Sequence, residues 1–194
     1  YWANMPEYAD MNFFGHSQEV PSFFWDGDTE MACVRHTMKS IIDFGYAHHI
    51  HRLMVMGNLA LLLGVHPRKF HDWHMGMYVD AVDWVSMPNT VGMSQYGDGG
   101  VVGSRPYCST GKYIDRMSNF CADCRYDPGE STGPRSCPFS ALYWEFLDRH
   151  YDKLKTIPAM ARQLASLRKM RTPDSRMKAI RQRAERIRRE LYAR

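Results

Sequence analysis

Titratable side chains are concentrated in one short stretch, YAHHIHRLMVMGN, at residues 46–58. Three histidines and one arginine fall within five positions there, and mostly apolar residues follow them. Burying such groups is costly unless each has a partner. The stretch is therefore a candidate for metal binding, for proton transfer, or for a helical core with satisfied histidines. On a helix, His49, Arg52 and Leu53 share one face, and His48 lies one turn before Arg52.

A carboxylate on a neighbouring helix is the expected partner of a buried arginine. The segment FHDWHMGMYVDAVDW, at residues 70–84, offers Asp80 on the same helical face as Trp73, with Asp83 as the reserve. An Arg–Asp pair beside a histidine and tryptophans is suited to clamp a flat, polar, redox-active ring. A structural salt bridge in a helical core is the competing interpretation, and the residues alone leave both open.

Cysteines form the second group of chemically active residues. Cys121 and Cys124 make a CxxC pair, and Cys137 follows later, directly before a proline. Thiolates in a glycine-rich loop suit zinc or an iron–sulfur cluster, and either needs a fourth ligand. Spacing nominates Cys108, which precedes Cys121 by the interval that separates Cys124 from Cys137, and leaves Cys33 as the distant candidate. Spacing does not separate zinc from iron–sulfur.

Helices must position these groups. Residues 95–138 hold seven of the 14 glycines and little periodicity, which predicts a long ordered loop or one pinned by a ligand. No convincing strand or repeat occurs, so the predicted fold is all-α with a loop-rich insert. Helical spacing and glycine or proline stops predict helices over 30–44, 47–63, 71–85, 140–154 and 158–169, and a basic terminal helix from Pro173.

Length and composition further narrow the classes of protein to which this chain can belong. The chain has 194 residues, enough for one domain with a substantial core or for part of a larger protein. No run approaches 18 apolar residues, and no basic-then-apolar leader is visible, so we expect neither a membrane span nor a signal peptide. The abrupt aromatic start favours a fragment that lacks its N-terminal part. Five cysteines without a leader favour a reducing compartment, so we expect a cytoplasmic protein.

Positive charge is concentrated near the C-terminal end. Residues 152–194 hold 14 of the 25 Lys and Arg residues but only 4 of the 21 Asp and Glu residues. A solvated amphipathic helix is the plainer interpretation of this basic tail, and a surface that faces nucleic acid is the sharper one. The tail alone does not decide between them.

Three segments together resemble one family. They are YAHHIHRLMV, FHDWHMGMYVDAVDWVSMPNTVGMSQYGDGG, and CADC with the later Cys–Pro. They resemble the prokaryotic iron–sulfur photolyases, the bacterial (6-4) photolyases and cryptochromes of the photolyase-related protein family, over nearly the whole chain. The resemblance implies an all-α catalytic domain that holds FAD, of which residues 1–194 are the C-terminal portion. The family's N-terminal α/β antenna domain, with its chromophore, lies outside this chain.

The resemblance implies a [4Fe–4S] cluster in the loop-rich insert and selects its ligands differently from spacing. It makes Cys108 the spare thiol, and the implied ligands are Cys33, Cys121, Cys124 and Cys137.

The resemblance also implies a flavin site. Arg52 and Asp80 match the Arg–Asp pair that lies against the isoalloxazine ring in the photolyase superfamily, and Asn89 is implied as a further cofactor contact. Ser86 falls where the superfamily places the residue that faces flavin N5, commonly Asn, Asp or another acidic group. A serine departs from that pattern and bonds N5 less strongly.

Active-site roles are implied in the same way. His49 matches the histidine of (6-4) photolyases that supplies the proton, and His48 is its neighbour in a double-His motif that holds or relays it. Leu53 and Tyr107 are implied to line the lesion pocket.

Electron supply is implied to run through an aromatic relay. Trp73 and Trp25 match its members, and His74 stands where the family often has Tyr. The resemblance leaves His51 without a role.

The implied activity is light-driven repair of pyrimidine (6-4) pyrimidone photoproducts in DNA by a monomeric DNA photolyase, a carbon–carbon lyase. Two alternatives remain open. One is a cryptochrome-type blue-light photoreceptor of the same subfamily. The other is a non-enzymatic metal-cluster domain that binds nucleic acid.

Overall fold

The stretch with the three histidines lies at the start of a helix. Asp80 lies between the end of one helix and the start of the next. In a computed structural model, which describes residues 1–193, the chain forms two compact units. The first unit comprises Tyr1–Thr29 and Cys33–Cys108, and the second comprises Glu30–Ala32 and the chain from Ser109 onward. Among the described residues there are no strands, only two isolated β-bridges, so the predicted all-α fold is confirmed.

The first unit is built around one helical segment, Asn58–Leu63, that is buried on every side. Leu59, Leu61 and Leu62 are fully buried on one helix, and Phe24 and Trp73 pack together from two others. The helical segments of this unit are Trp2–Asn4, Glu7–Asp10, Phe23–Asp26, Ala32–Phe44, His49–His51, Arg52–Gly57, Asn58–Leu63, Pro67–Met77, Asp83–Met87 and Pro88–Ser94.

Two of these segments are π-helical, and each continues an α-helix. Arg52–Gly57 joins His49–His51 to Asn58–Leu63, so the helix predicted over 47–63 is one continuous stretch that ends at left-handed Gly64. Pro88–Ser94 continues Asp83–Met87 in the same way. Both are wider than α-helices. The side-chain amide of Gln95, the residue after Pro88–Ser94, donates to the carbonyl oxygen of Gly57, the last residue of the other π-helical segment, at 3.0 Å.

The helix predicted over 71–85 is wrong in its course, because the chain leaves the helix after Met77. Tyr78 is extended, and the N–H of Val79 donates to the carbonyl oxygen of Gly45 at 2.9 Å. Gly45 has φ of +61°, and a Cβ there would lie 2.4 Å from a Val79 methyl carbon, so a glycine is required at this contact. A long-range contact thus overrides the helical pattern.

A proline stop at Pro88 is part of the prediction for the helix over 71–85. Pro88 instead follows the helix Asp83–Met87 without ending the helical path. A proline has no N–H for the carbonyl oxygen four residues earlier, which here is that of Trp84. The Tyr1 hydroxyl donates to this oxygen at 2.7 Å and replaces the missing partner. The helical path continues through Pro88–Ser94 as a π-helix.

The second unit consists of helices around one long pair. Asp174–Tyr192 packs along Pro138–Arg149, and Ile180, Ala184 and Phe146 of this pair are fully buried. Helix Gly111–Met117 lies within the segment predicted to be loop, because a single buried apolar residue, Ile114, gave no periodicity to detect. The helical segments of this unit are Gly111–Met117, Pro138–Arg149, Tyr151–Leu154, Pro158–Met160, Ala161–Met170 and Asp174–Tyr192.

Within the described residues, no helix is both long enough and apolar enough to cross a membrane.

Candidate active site

Arg52 is held by contacts that use most of its donors. Its Nη1 and Nη2 donate to the two carboxylate oxygens of Asp80, each at 2.9 Å, and its Nε donates to the Ala47 carbonyl oxygen at 2.6 Å. The rings of Tyr78 and Tyr46 lie 4.2 and 4.9 Å from its Cζ, within cation–π range. The predicted Arg52–Asp80 pair therefore forms, and the break after Met77 is what brings Asp80 to it.

The pair is half-buried. The Arg52 side chain is 16% exposed and that of Asp80 is 49% exposed. The hydrogen bonds from Arg52 hold the pKa of the Asp80 carboxyl below its ordinary value. A planar guanidinium fixed bidentately presents a flat, charged surface of defined orientation.

A cavity of about 170 Å³ opens beside this pair, and we call it the Arg52–Asp80 cleft. It lies within the first unit, and both π-helical segments contribute to its walls. Predicted site residues and unpredicted ones meet in its lining: His49, Arg52, Leu53, Phe70, His74, Asp80, Val85, Ser86, Asn89, Thr90 and Ser94.

His74 is the buried histidine of the cleft. Burial, followed by the positive charge of Arg52, lowers its pKa to about 4, so the ring is neutral at pH 7. It packs on Tyr78 with ring centroids 4.5 Å apart. Its Nδ1 is buried without a hydrogen-bond partner among the described residues. A polar nitrogen in that state is suited to meet a polar edge of a bound molecule.

Ser86 and Asn89 also line the cleft, and a partly buried hydrogen-bonded network supports their helix. The His71 ring contacts the Thr90 hydroxyl through Nδ1 at 2.8 Å and the Asp83 carboxylate through Nε2 at 3.0 Å. The Thr90 hydroxyl also lies 2.9 Å from the Ser86 carbonyl oxygen, to which it donates. His71 thus links the helix that carries His74 to the helix that carries Ser86.

The sequence interpretation missed His71 and the two tyrosines beside Arg52. His71 has no signal in the sequence, because its partners Thr90 and Asp83 face it only after the helix breaks. Tyr46 and Tyr78 have a weak signal, since each lies within six residues of a member of the Arg–Asp pair.

The double-His motif lies at the cleft entrance. His49 lines the cleft and is exposed, whereas His48 is exposed at the residue before the helix and is not part of the lining. His48 and His51 lie edge to face, with ring centroids 6.0 Å apart. Only one histidine of the motif therefore borders the cavity itself.

The remaining predicted site residues are placed less centrally. Leu53 lines the cleft, while half-buried Tyr107 is not part of its lining. Trp73 is buried, and its Nε1 donates to the Phe24 carbonyl oxygen at 2.8 Å. Trp25 is 52% exposed and follows Phe24 in the short helix Phe23–Asp26.

The cysteines are all described, and none is in a disulfide. Cys33 belongs to the first unit, and the CxxC pair and Cys137 belong to the second. Burial raises the pKa of Cys137 to about 12, and the nearby Cys121 and Cys124 contribute in the same direction. Across residues 1–193, however, no three His, Cys, Asp or Glu side chains are grouped closely enough to hold a metal ion.

A close approach of backbone to thiol occurs at Cys137. A Cβ built on Gly111 would lie 2.6 Å from its Sγ, so the glycine leaves room for this sulfur. Burial also raises the pKa of Cys108, to about 12, and Cys108 lies at the end of the first unit.

Part of the positive charge of the basic tail is paired with carboxylates of the second unit. Asp148 accepts from Arg171 at 2.8 Å and from Arg181 at 2.7 Å, and Glu145 pairs with Arg149 and Arg188. These contacts favour the amphipathic-helix interpretation for much of the tail.

The fold and the cleft together define a class: an all-helical protein in which a half-buried Arg–Asp pair, a neutral histidine and a phenylalanine line one cavity. No protein-family profile matches the chain. Over 170 residues, or 88% of the chain, it is 47% identical to a (6-4) photolyase of Agrobacterium fabrum, of which it covers 34%. It is also 28% identical over 102 residues to uncharacterized protein R855 of Acanthamoeba polyphaga mimivirus, covering 53% of the chain and 76% of that protein.

The chain belongs to the photolyase family. It spans about a third of the length of the photolyase that it matches.

Proposed function

We propose that the protein repairs pyrimidine (6-4) pyrimidone photoproducts in DNA, using light and FAD. One observation carries the proposal: a chain 47% identical to a (6-4) photolyase folds its Arg–Asp pair, His49 and Ser86 around one cleft. The longer polypeptide of such a photolyase includes, on this proposal, the antenna domain and further parts of the FAD site. Residues 1–194 are then the C-terminal portion of the catalytic domain.

The residues of the cleft fit a flavin. The isoalloxazine ring is flat, with polar atoms along its edges, and it matches a planar guanidinium, a phenylalanine wall and an unpartnered buried nitrogen on His74. Arg52 and Asp80 would lie against the ring, and Ser86 and Asn89 would contact its polar atoms. When bound, reduced FAD supplies an electron to the lesion on absorbing light and takes it back after repair.

The chain's own contribution to repair is proton transfer and orientation. A damaged base must leave the duplex to reach a cleft of this kind. His49 borders the cleft and is exposed, so it is placed to meet a base that enters from solvent. An imidazole exchanges protons near neutral pH, and His49 is proposed to give a proton to the lesion. Leu53 lines the same wall, and Tyr107 is proposed as a second lesion contact.

Electron resupply is proposed to run through Trp73 and Trp25. Trp73 is buried in aromatic contact with Phe24, and the next residue, Trp25, reaches solvent. This gives an inner and an outer indole on adjacent elements. Neutral His74 lines the cleft next to Trp73 in sequence and is hard to oxidise compared with an indole, so the Trp73 route is favoured.

A [4Fe–4S] cluster is proposed as the second cofactor, with Cys33, Cys121, Cys124 and Cys137 as its ligands. The support is chemical. Cys121 and Cys124 lie near enough to Cys137 to raise the pKa of its thiol by charge repulsion. Binding of the thiolates to iron relieves that repulsion. The described residues do not group three such ligands at metal-binding distances, and the proposed repair has no step at a cluster.

UV-damaged DNA is the proposed substrate, and exposed Arg105 and basic residues of the tail are proposed phosphate contacts. Contacts of this kind make binding salt-dependent. A monomeric state and a cytoplasmic location remain predictions.

The test is repair by the full-length protein. We expect blue light to remove the (6-4) lesion from an oligonucleotide, and His49→Ala to abolish this while flavin absorbance is retained. Flavin binding with no light-dependent loss of lesion in the unaltered protein would contradict repair and favour the photoreceptor alternative. A protein that binds no flavin would contradict both.

A further inference from the structure

His48 stands at the start of the helix that carries His49 and Arg52. Its carbonyl oxygen accepts the backbone N–H groups of His51 at 2.8 Å and of Arg52 at 3.1 Å. Its ring Nδ1 accepts the N–H of Ile50 at 3.3 Å, and its ψ of 143° is extended. These are the contacts of an N-cap residue, which supplies partners for N–H groups that the first helical turn leaves unpaired.

The cap determines which nitrogen of His48 carries a proton. A ring nitrogen accepts a hydrogen bond only when it is unprotonated, so a capping His48 is the Nε2–H tautomer. A proton on Nδ1 would point at the Ile50 N–H, donor against donor. It would also place a positive charge at a helix N-terminus, where the helix dipole opposes cations.

The same cap bears on Arg52. The Arg52 Nε donates to the carbonyl oxygen of Ala47, the residue directly before His48. Loss of the cap at His48 therefore affects both partners of this hydrogen bond, the Arg52 guanidinium and the Ala47 carbonyl oxygen. It also frees the first helical residue, His49, which borders the cleft.

We propose that His48 is a positioning residue, which caps the helix through Nδ1 and so holds His49 and Arg52 at the cleft. The two histidines then have different roles: His48 sets geometry, and His49 transfers the proton. The role of His49 rests on the proposed repair function, whereas the cap does not.

The chain offers a matched control at the next helix. His66 caps Pro67–Met77 in the same way, with its Nδ1 accepting the N–H of Arg68 at 3.2 Å. His66 is not part of the cleft lining. Removing either cap removes the same chemical contact from a different helix.

The cap itself is tested by amide hydrogen exchange and NMR. We expect His48→Ala to speed exchange of the Ile50 amide about fivefold, the factor that corresponds to a typical N-cap, and to leave the Arg68 amide unchanged. His66→Ala should do the reverse. Asparagine is a good N-cap, so His48→Asn should restore protection at Ile50. Nitrogen-15 shifts should show Nδ1 of His48 unprotonated.

The division of roles is tested by repair with the full-length protein. His48→Asn keeps a cap but has no group that transfers protons near neutral pH. We expect it to repair within about twofold of the unaltered protein if capped geometry is what matters, while His48→Ala loses activity.

The outcomes separate the two claims. Repair by His48→Asn as low as by His49→Ala, with Ile50 still protected, overturns the positioning role. Equal Ile50 exchange in His48→Ala and the unaltered protein overturns the cap. If the unaltered protein repairs no lesion, the proposed function fails, and the exchange measurements still decide whether His48 caps this helix.

Discussion

Replacing Asp80 by Asn removes one negative charge from Arg52 and preserves the shape of residue 80. An amide keeps one acceptor, so one of the two 2.9 Å hydrogen bonds survives. The guanidinium stays 16% exposed beside Tyr78, now without a counter-charge. Solvent-exposed pairs contribute about 0.2–1 kcal/mol, and loss of one partner from a buried pair costs about 3–5 kcal/mol.

The Arg52–Asp80 pair lies between those limits, because one partner is buried and the other is half-exposed. We therefore expect Asp80→Asn to lower the free energy of unfolding by about 1–2 kcal/mol. For a protein of this size the midpoint of thermal unfolding should fall by about 2–8 °C. Asp72→Asn is the matched control: its pair with Arg68 also has a 2.9 Å contact but is 42% and 57% exposed, so the loss should be smaller.

The pH dependence gives a second, independent measure. Arg52 holds the pKa of Asp80 below its unfolded value of about 3.9. A carboxyl with a lowered pKa stabilises the fold above the unfolded pKa, and this stabilisation is lost as pH falls through the folded pKa. The stability difference between the unaltered protein and Asp80→Asn should thus be constant from about pH 5 to 8 and shrink below about pH 4.

Urea unfolding followed by tryptophan fluorescence, repeated across this pH range, measures the difference. A loss no larger than that of Asp72→Asn, or a loss that is undiminished at low pH, would refute the reasoning.

Three further predictions concern the cysteines, the relay and the second unit. Cys124→Ser should abolish iron binding by the full-length protein, with Cys108→Ser as the control that retains it; equal iron content in both would contradict the ligand assignment. Trp73→Phe should slow photoreduction of bound flavin at least about tenfold, since phenylalanine is a much poorer electron donor, whereas Trp84→Phe, at a residue 65% exposed, should not. Asp148→Asn should destabilise the second unit by about 2 kcal/mol, because Arg171 and Arg181 both lose a carboxylate that is only 10% exposed; an unchanged urea midpoint by circular dichroism would contradict this.

The Arg52–Asp80 pair could be predicted because it depends on local features. Helical spacing placed Arg52 on one face, and a buried arginine needs a carboxylate nearby. The geometry that joins them was not predictable. Asp80 reaches Arg52 because the helix ends after Met77, and this end is fixed by the contact between Gly45 and Val79, about thirty-four residues apart in sequence. Periodicity contains no information about such a contact.

Charge counting leaves the interpretation of the tail undecided for a similar reason. The excess of Lys and Arg near the C-terminus is a property of the sequence window, and two of its carboxylate partners lie outside that window. Glu145 and Asp148, on Pro138–Arg149, accept from four arginines, two of which lie on the terminal helix. Net charge over a segment therefore overstated the charge that the segment presents.

The two π-helical segments have a consequence for how the cleft and the core can vary. A π-turn adds one residue to an α-helix, so side chains before it are rotated by about 100° relative to those after it. In the helix from His49 to Leu63, the π-helical segment Arg52–Gly57 begins with the cleft residues Arg52 and Leu53 and ends directly before the buried leucines. Deleting one residue there would restore a regular helix and leave either Arg52 or the leucines on the wrong face. The extra residue therefore sets the direction in which the cleft side chains point around the helix axis independently of the direction of the core side chains.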